Sequence, residues 1–277
     1  MEFTHFSKNG ELRPIEEATI PLSSIEYAYG FGVYEAIRVS NGVIYFLNDH
    51  LERLCESAAI IGLEHSFTVD CIQKSIFDLV AHTSAASYNI KILLIGGPTR
   101  ETASLFALCL NPLFPDKKLY RDGAHVITYP AERIFPHAKT LNMLQSYRAY
   151  ATAKQQGAYD ALLVNRNGTI TEGTRTNFFC IRDHVIITPP EKDILLGVTR
   201  KALLHVAQNN GYTLEEKNIT QEDCNDYDGA FISSTSSKII PLRTINDQTL
   251  SVAPDALKKL MRLFDEFLAT CNGTLIQ

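Results

Sequence analysis

The sequence predicts a mixed α/β (α+β) chain of two domains, a smaller one at 1–116 and a larger one at 122–277. Three observations carry that expectation. The 277 residues, 45% of them hydrophobic, suffice for one large core or two modest ones. Apolar stripes at helical spacing alternate with apolar runs joined by Asn-Gly pairs. The stretch 112–123, PLFPDKKLYRDG, is dense in proline and charge, which places a linker at 117–121.

In chain order, Asn9-Gly10 turns a short hairpin within 1–20. Two glycines among aromatics, Tyr29-Gly30-Phe31-Gly32, mark backbone that approaches something closely. They are not a dinucleotide loop, because Glu35 stands where a third glycine is needed. Strands at 33–39 and 43–47 flank the Asn41-Gly42 turn. A helix at 48–62, capped by Asn48 or Asp49, buries Leu51, Leu54, Cys55, Ala58 and Ile61. Arg53 lies off that stripe, the place of a solvated side chain. A second helix at 69–82 precedes buried strands at 89–97 and 103–111.

Beyond the linker, 124–130 reads as a strand and 143–156 as a helix stopped by Gly157. Hairpins turn at Asn167-Gly168 and at Asp183-His184. The helix at 197–211 follows a glycine and carries Thr199 in its first turn, which suits either a plain cap or an anion. Five hydroxyl residues, 233–237, separate two apolar strands as a loop or an anion nest. The last helix opens at Pro254 and buries Leu257, Leu260, Met261, Phe264, Phe267 and Leu268.

Bulk properties exclude several classes. The net charge is −5, the pI about 5.9, and no basic tract stands out, so neither nucleic acid nor an anionic membrane is expected as a partner. No apolar run spans a bilayer, and the first residues hold no apolar signal core. Six cysteines without a CxxC read as buried apolar side chains in a reducing cytoplasm. The eight histidines include no HExxH, so no metal site is expected.

Lys139 and Glu172 stand 33 positions apart, flanking a helix, a strand and a hairpin. An amine and a carboxylate so placed suit a two-point grip on one small ring. Five ordered motifs then resemble the class IV (fold-type IV) aminotransferases. They are Tyr-Gly-x-Gly-Val-Tyr-Glu at 29–35, His-Leu-Glu-Arg-Leu at 50–54, Lys-Thr-Leu-Asn at 139–142, Thr-Glu-Gly-x-x-x-Asn at 171–177 and Ile-Leu-Leu-Gly-Val-Thr-Arg at 194–200. That family includes branched-chain aminotransferases, D-amino acid aminotransferases and 4-amino-4-deoxychorismate lyases.

The resemblance implies an N-terminal α/β sandwich, a C-terminal domain with a barrel-like sheet, and pyridoxal 5'-phosphate (PLP) in the cleft. It implies that Lys139 bonds the cofactor and moves the proton, while Glu172 faces the ring nitrogen. It places Leu195 against the ring, and Arg53, Val198, Thr199, Ser234 and Thr235 at the phosphate. It places Tyr34, Arg38, Arg100 and Ser236 near the substrate, and Asn177 as a brace for the Glu172 turn. A homodimer is implied too.

The chain departs from well-known members on the substrate side. Asn89-Ile90-Lys91 stands where branched-chain enzymes carry Tyr-x-Arg. Pro98-Thr99-Arg100-Glu101 lacks the histidine of D-amino acid enzymes. Thr-Glu-Gly replaces the Thr-Glu-Cys common in the lyases, which tilts toward transamination. The expected activity is ping-pong amino transfer between an amino acid, with branched-chain L-amino acids first, and a 2-oxo acid. Pyruvate release from aminodeoxychorismate and D-amino acid transfer are the rivals, and a non-enzymatic binding protein is the remaining class.

Overall fold

The computed structural model describes residues 3–112, 115–271 and 274–275. Its contacts divide the chain into two compact units. One holds Met1–Leu113, Ala138–Met143 and Asn272–Gln277; the other holds Phe114–His137 and Leu144–Cys271. This differs from a single break at 117–121 in a way that matters, because Lys139 belongs to the first unit although both its flanks belong to the second.

In the first unit, β1 (His5–Lys8) and β2 (Glu11–Pro14) form the expected Asn9-Gly10 hairpin, with both turn residues at positive φ. A single helical turn, α1 (Ile25–Ala28), leads into β3 (Gly32–Ser40). The Asn41-Gly42 turn also forms, but its second strand, β4, covers only Val43–Ile44. Phe46 adopts a left-handed conformation and starts α2 (Leu47–Ile60) directly, so neither Asn48 nor Asp49 caps it. α3 (Val69–Ala81) is capped by the Thr68 hydroxyl, and β5 (Ser87–Ile95) and β6 (Ser104–Leu110) follow.

Alternation along β3 puts Val33, Ile37 and Val39 on one face of the sheet. That face buries against Leu47, Leu51, Leu54 and Ala58 of α2 and against Ile72, Ile76 and Leu79 of α3. The other face carries half-buried Tyr34, Arg38, Lys91 and Leu93. Cys55 and Ile61, expected in the core, are only half-buried. So are Cys71 and Cys271; among the cysteines only Cys109, Cys180 and Cys224 are buried.

In the second unit the stretch read as a linker is a short helix, α4 (Lys117–Asp122), capped by Asp116 and ended by Gly123 at φ 73°. Its charge density serves a helix rather than an open connection; Leu113 and Phe114 lie outside the described residues. Next come β7 (Ala124–Pro130), α5 (Leu144–Gln155), β8 (Asp160–Val164), β9 (Ile170–Gly173), β10 (Asn177–Arg182) and β11 (Val185–Thr188). Then follow α6 (Val198–Asn209), β12 (Thr213–Glu216), β13 (Gly229–Ser234), β14 (Lys238–Ile245), β15 (Gln248–Thr249) and α7 (Asp255–Thr270). β12 and β15 carry no strand signal in sequence; both are short pieces fixed by their neighbours, β11 and β14.

The strands β10, β13, β14, β7, β8 and β9 pair in that order, and β9 pairs back with β10. This six-stranded closure is the barrel-like sheet the resemblance implied. Alternate residues, among them Val126, Leu162, Phe178, Cys180, Ile232 and Ile240, fill one core. Ala149 and Ala153 of α5 pack on Ile127, Ala161 and Leu163 outside it. On α7 only Leu257, Leu260 and Phe264 are buried, while Met261, Phe267 and Leu268 are half-exposed. The chain closes on β16 (Thr274–Leu275), paired with β4 in the first unit's sheet.

Phe179 and Phe231 stack across β10 and β13 with ring centroids 4.8 Å apart, both fully buried. Phe231→Ala should destabilise the second unit by about 3–5 kcal/mol and Phe231→Leu by less than about 1.5. With no tryptophan in the chain, urea unfolding followed by far-UV circular dichroism measures both.

Candidate active site

The lysine segment is bridged to a sheet. β4 covers only Val39 and Ser40 of β3, and residues 139–141 take the edge at β3's other end. Val33 and Thr140 form an antiparallel bridge; Tyr34 N donates to Lys139 O at 2.9 Å and Leu141 N to Gly32 O at 2.8 Å. This explains the glycine pair. A Cβ at Gly32 would come within 2.7 Å of the Leu141 side chain, and Gly30, at φ 72°, packs on the Asn142 backbone. The glycines thus face the lysine segment, and a Cβ at Gly32 would also meet the Leu94 carbonyl at 2.9 Å. The Lys139 ammonium lies 4.7 Å from the centroid of the Tyr34 ring, and the Lys91 ammonium lies 5.8 Å from the same ring. The Tyr34 hydroxyl meets Met143 Sδ at 3.6 Å.

Successive residues of β3 face opposite ways, so Glu35 points into the helix side of the sheet. There it is fully buried and paired with Arg53, Nε to Oε1 at 2.6 Å and Nη2 to Oε2 at 2.8 Å. His50 Nδ1 lies 2.7 Å from Oε2. Arg53 is therefore not a solvated side chain; it is 7% exposed and its fork is aligned by a carboxylate. Burial pushes the Glu35 carboxyl up, but Arg53 and His50 together outweigh it and hold it well below the usual carboxylate range.

In the second unit Glu172 is 2% exposed at the end of β9, opposite Asn177 on β10. It ion-pairs with Arg133, and its Oε2 accepts from Leu195 N at 3.4 Å. Asn177 Nδ2 donates to Leu195 O at 2.8 Å, tying the same turn from the other side. Asp160 at the start of β8 is buried, accepting from the Thr174 hydroxyl at 2.5 Å, the Thr176 hydroxyl at 3.1 Å and Ala161 N at 2.9 Å. Burial raises the Asp160 carboxyl despite these bonds. A Cβ at Gly173 would fall 2.0 Å from Thr176 Oγ1 and 2.8 Å from Asp160 Oδ2, so the turn requires glycine.

α6 begins at Gly197 with no side-chain cap, leaving the Val198 and Thr199 amides of its first turn for an anion. Thr199 Oγ1 stands 3.4 Å from Thr235 Oγ1 in the β13–β14 turn. Ser234 and Ser237 bond each other at 2.6 Å, and Ser236 is half-buried beside them. These donors fit a phosphate, and the buried Glu172 fits a ring nitrogen that carries a proton. Arg38 is half-buried with its guanidinium 5.7 Å from the Tyr45 ring. Arg100 is exposed and paired with Glu101 at 3.5 Å.

Comparison with known proteins assigns the chain to a family. The model of the amino-transferase class IV family matches residues 32–245. A D-alanine aminotransferase of Bacillus licheniformis is 32% identical over 91% of this chain and 92% of its own. A branched-chain aminotransferase structure from Thermoproteus uzoniensis, with norvaline, superposes with a TM-score of 0.86 at 29% identity, covering 96% of this chain and 94% of that one. A branched-chain amino acid aminotransferase of T.th., solved with pyridoxamine 5'-phosphate, gives a TM-score of 0.87 at 25% identity, covering 96% and 94%. The chain belongs to the class IV aminotransferases. It is a transferase that uses PLP and acts on amino acids and 2-oxo acids.

Three participants escaped the sequence reading. Glu35 was legible as a lone charge on an apolar β face, Val33-x-Glu35-x-Ile37-x-Val39. Arg133 and Asp160 had no comparable signal, because each meets its partners only through the tertiary fold.

The carboxyl of Glu35 titrates lower in the folded chain than unfolded. Its stabilisation is complete above the unfolded value of about 4.3 and is lost as pH falls below it toward the folded one. Glu35→Gln should cost about 3 kcal/mol at pH 7, since it leaves the Arg53 charge buried without its counter-charge. Thermal melts from pH 7 to 3 should fall more steeply for the parent than for the variant; parallel profiles would contradict the assignment.

Proposed function

We propose that the protein exchanges an amino group between an amino acid and a 2-oxo acid at a cofactor held by Lys139 and Glu172. The observation that carries this reading is the fixing of Lys139, whose backbone is built into the edge of β3 while its ammonium rests on Tyr34. PLP, when bound, supplies an electron sink for the substrate's α-carbon. The chain supplies the rest. Lys139 Nζ would hold the cofactor and would serve as the base that takes the substrate's α-proton and returns it. Glu172, buried and held by Leu195 N, would keep a proton on the cofactor's ring nitrogen. Arg53, Ser234, Thr235 and the first turn of α6, with Val198 and Thr199, would hold the phosphate, and Leu195 would line the ring's place.

On the substrate side Tyr34 and Arg38 share one face of β3, with Ser236 contributed by the β13–β14 turn. Arg38 rather than Arg100 takes the carboxylate, because Arg100 is exposed and engaged by Glu101. Branched-chain L-amino acids are the first substrate class. A D-amino acid is the second reading, favoured by the Bacillus licheniformis relative. The active form is a homodimer in the cytoplasm. The exposed Leu22, Ile25 and Tyr29 of the first unit suit a second copy, and the six free cysteines suit a reducing compartment.

Loss of the cofactor's visible band on adding L-leucine, D-alanine, L-glutamate or aminodeoxychorismate tests the reading. Conversion to the pyridoxamine form by an amino acid, reversed by a 2-oxo acid, is expected. Pyruvate release from aminodeoxychorismate without an acceptor would overturn it. Glu172→Gln should lower kcat about 10²-fold or more while cofactor affinity changes much less.

A further inference from the structure

We propose that Ser57 is a positioning residue for Lys139, locking the amine to the helix that carries Arg53. The proposal rests on the reading of Lys139 as the cofactor-binding amine. Lys139 O is taken by Tyr34 N in the bridge to β3, but Lys139 N turns elsewhere and donates to Ser57 Oγ at 3.0 Å. Ser57 is fully buried on α2. It lies about one turn beyond Arg53, about 6 Å along the helix axis.

His50, Arg53 and Ser57 follow at spacings of three and four, so one face of α2 presents all three. The first two grip Glu35 on β3, and the third grips the lysine segment paired to the same strand. The Lys139 backbone is thereby held from two sides, by a strand and by a helix. A hydroxyl suits the helix side because serine is the smallest side chain that accepts a hydrogen bond from an amide, and position 57 is fully buried. Alanine at 57 would remove that acceptor with almost no change in volume. The Lys139 amide would then lose its tie, and the ammonium its fixed origin.

Four proteins test this: the parent, Ser57→Ala, Lys139→Ala and the double variant, each titrated with PLP. If Ser57 acts through the lysine side chain, Ser57→Ala weakens PLP binding at least fivefold when Lys139 is present. It leaves binding within twofold when residue 139 is alanine. Equal weakening in both backgrounds, or none in either, overturns the proposal. Equal affinity of the parent and Lys139→Ala would instead overturn the reading of Lys139 as the cofactor's amine. Hydrogen exchange on the cofactor-free protein then decides the Ser57 contact by itself. The Lys139 amide should exchange at least tenfold faster in Ser57→Ala, and an unchanged rate overturns the assignment.

Discussion

The pairing of residues 139–141 with the edge of β3 is the constraint on which the rest depends. Lysine on a free loop would have to be ordered at each encounter, at about 1–2 kcal/mol of backbone entropy for every residue fixed. Here the backbone is fixed in advance and only the side-chain torsions remain open. The two ladder bonds contribute about 1 kcal/mol each. Their larger effect is geometric, since they set where the amine starts. Gly30 is required by its positive φ, and Gly32 by the Leu94 carbonyl and the Leu141 side chain that close on it.

β3 serves two chemistries through its pleat. Tyr34 faces the lysine, and its neighbour Glu35 faces Arg53 and His50 across the other surface. A buried charge pair is a poor source of stability, because desolvating two ions costs several kcal/mol each. Its value here is orientation: two bonds from one carboxylate fix the plane of the guanidinium. In the second unit Glu172 is treated alike. Arg133 and the Leu195 amide hold the acid, and Asn177 ties Leu195 from the other side. In both units a charged group is held by buried polar contacts drawn from distant parts of the chain.

Much of this could be read from the residues. The hairpins at Asn9-Gly10 and Asn41-Gly42 formed because those pairs tolerate positive φ, and β7 matched its apolar run. The reading failed where local and tertiary preferences competed. Residues 45–47 look like strand, yet Phe46 bends the chain into α2, since the helix must lie on the sheet. The Pro- and Lys-rich stretch looked like an open connection, yet Asp116 caps a helix there. Arg53 looked solvated because a helical stripe is judged by its apolar members, and the carboxylate that buries it lies 18 positions away. Lys139 and Glu172 stood out through their motifs. Ser57, Arg133 and Asp160 did not, because a serine, an arginine or an aspartate acquires meaning only from what the fold sets against it.

The most direct test of the central claim is peptide mapping after borohydride reduction of the PLP-loaded protein. Lys91 is the natural control, since its ammonium shares the Tyr34 ring with that of Lys139. A single phosphopyridoxyl label on Lys139 is the result this account predicts. A label on Lys91 or another lysine, with Lys139 unmodified, would contradict it.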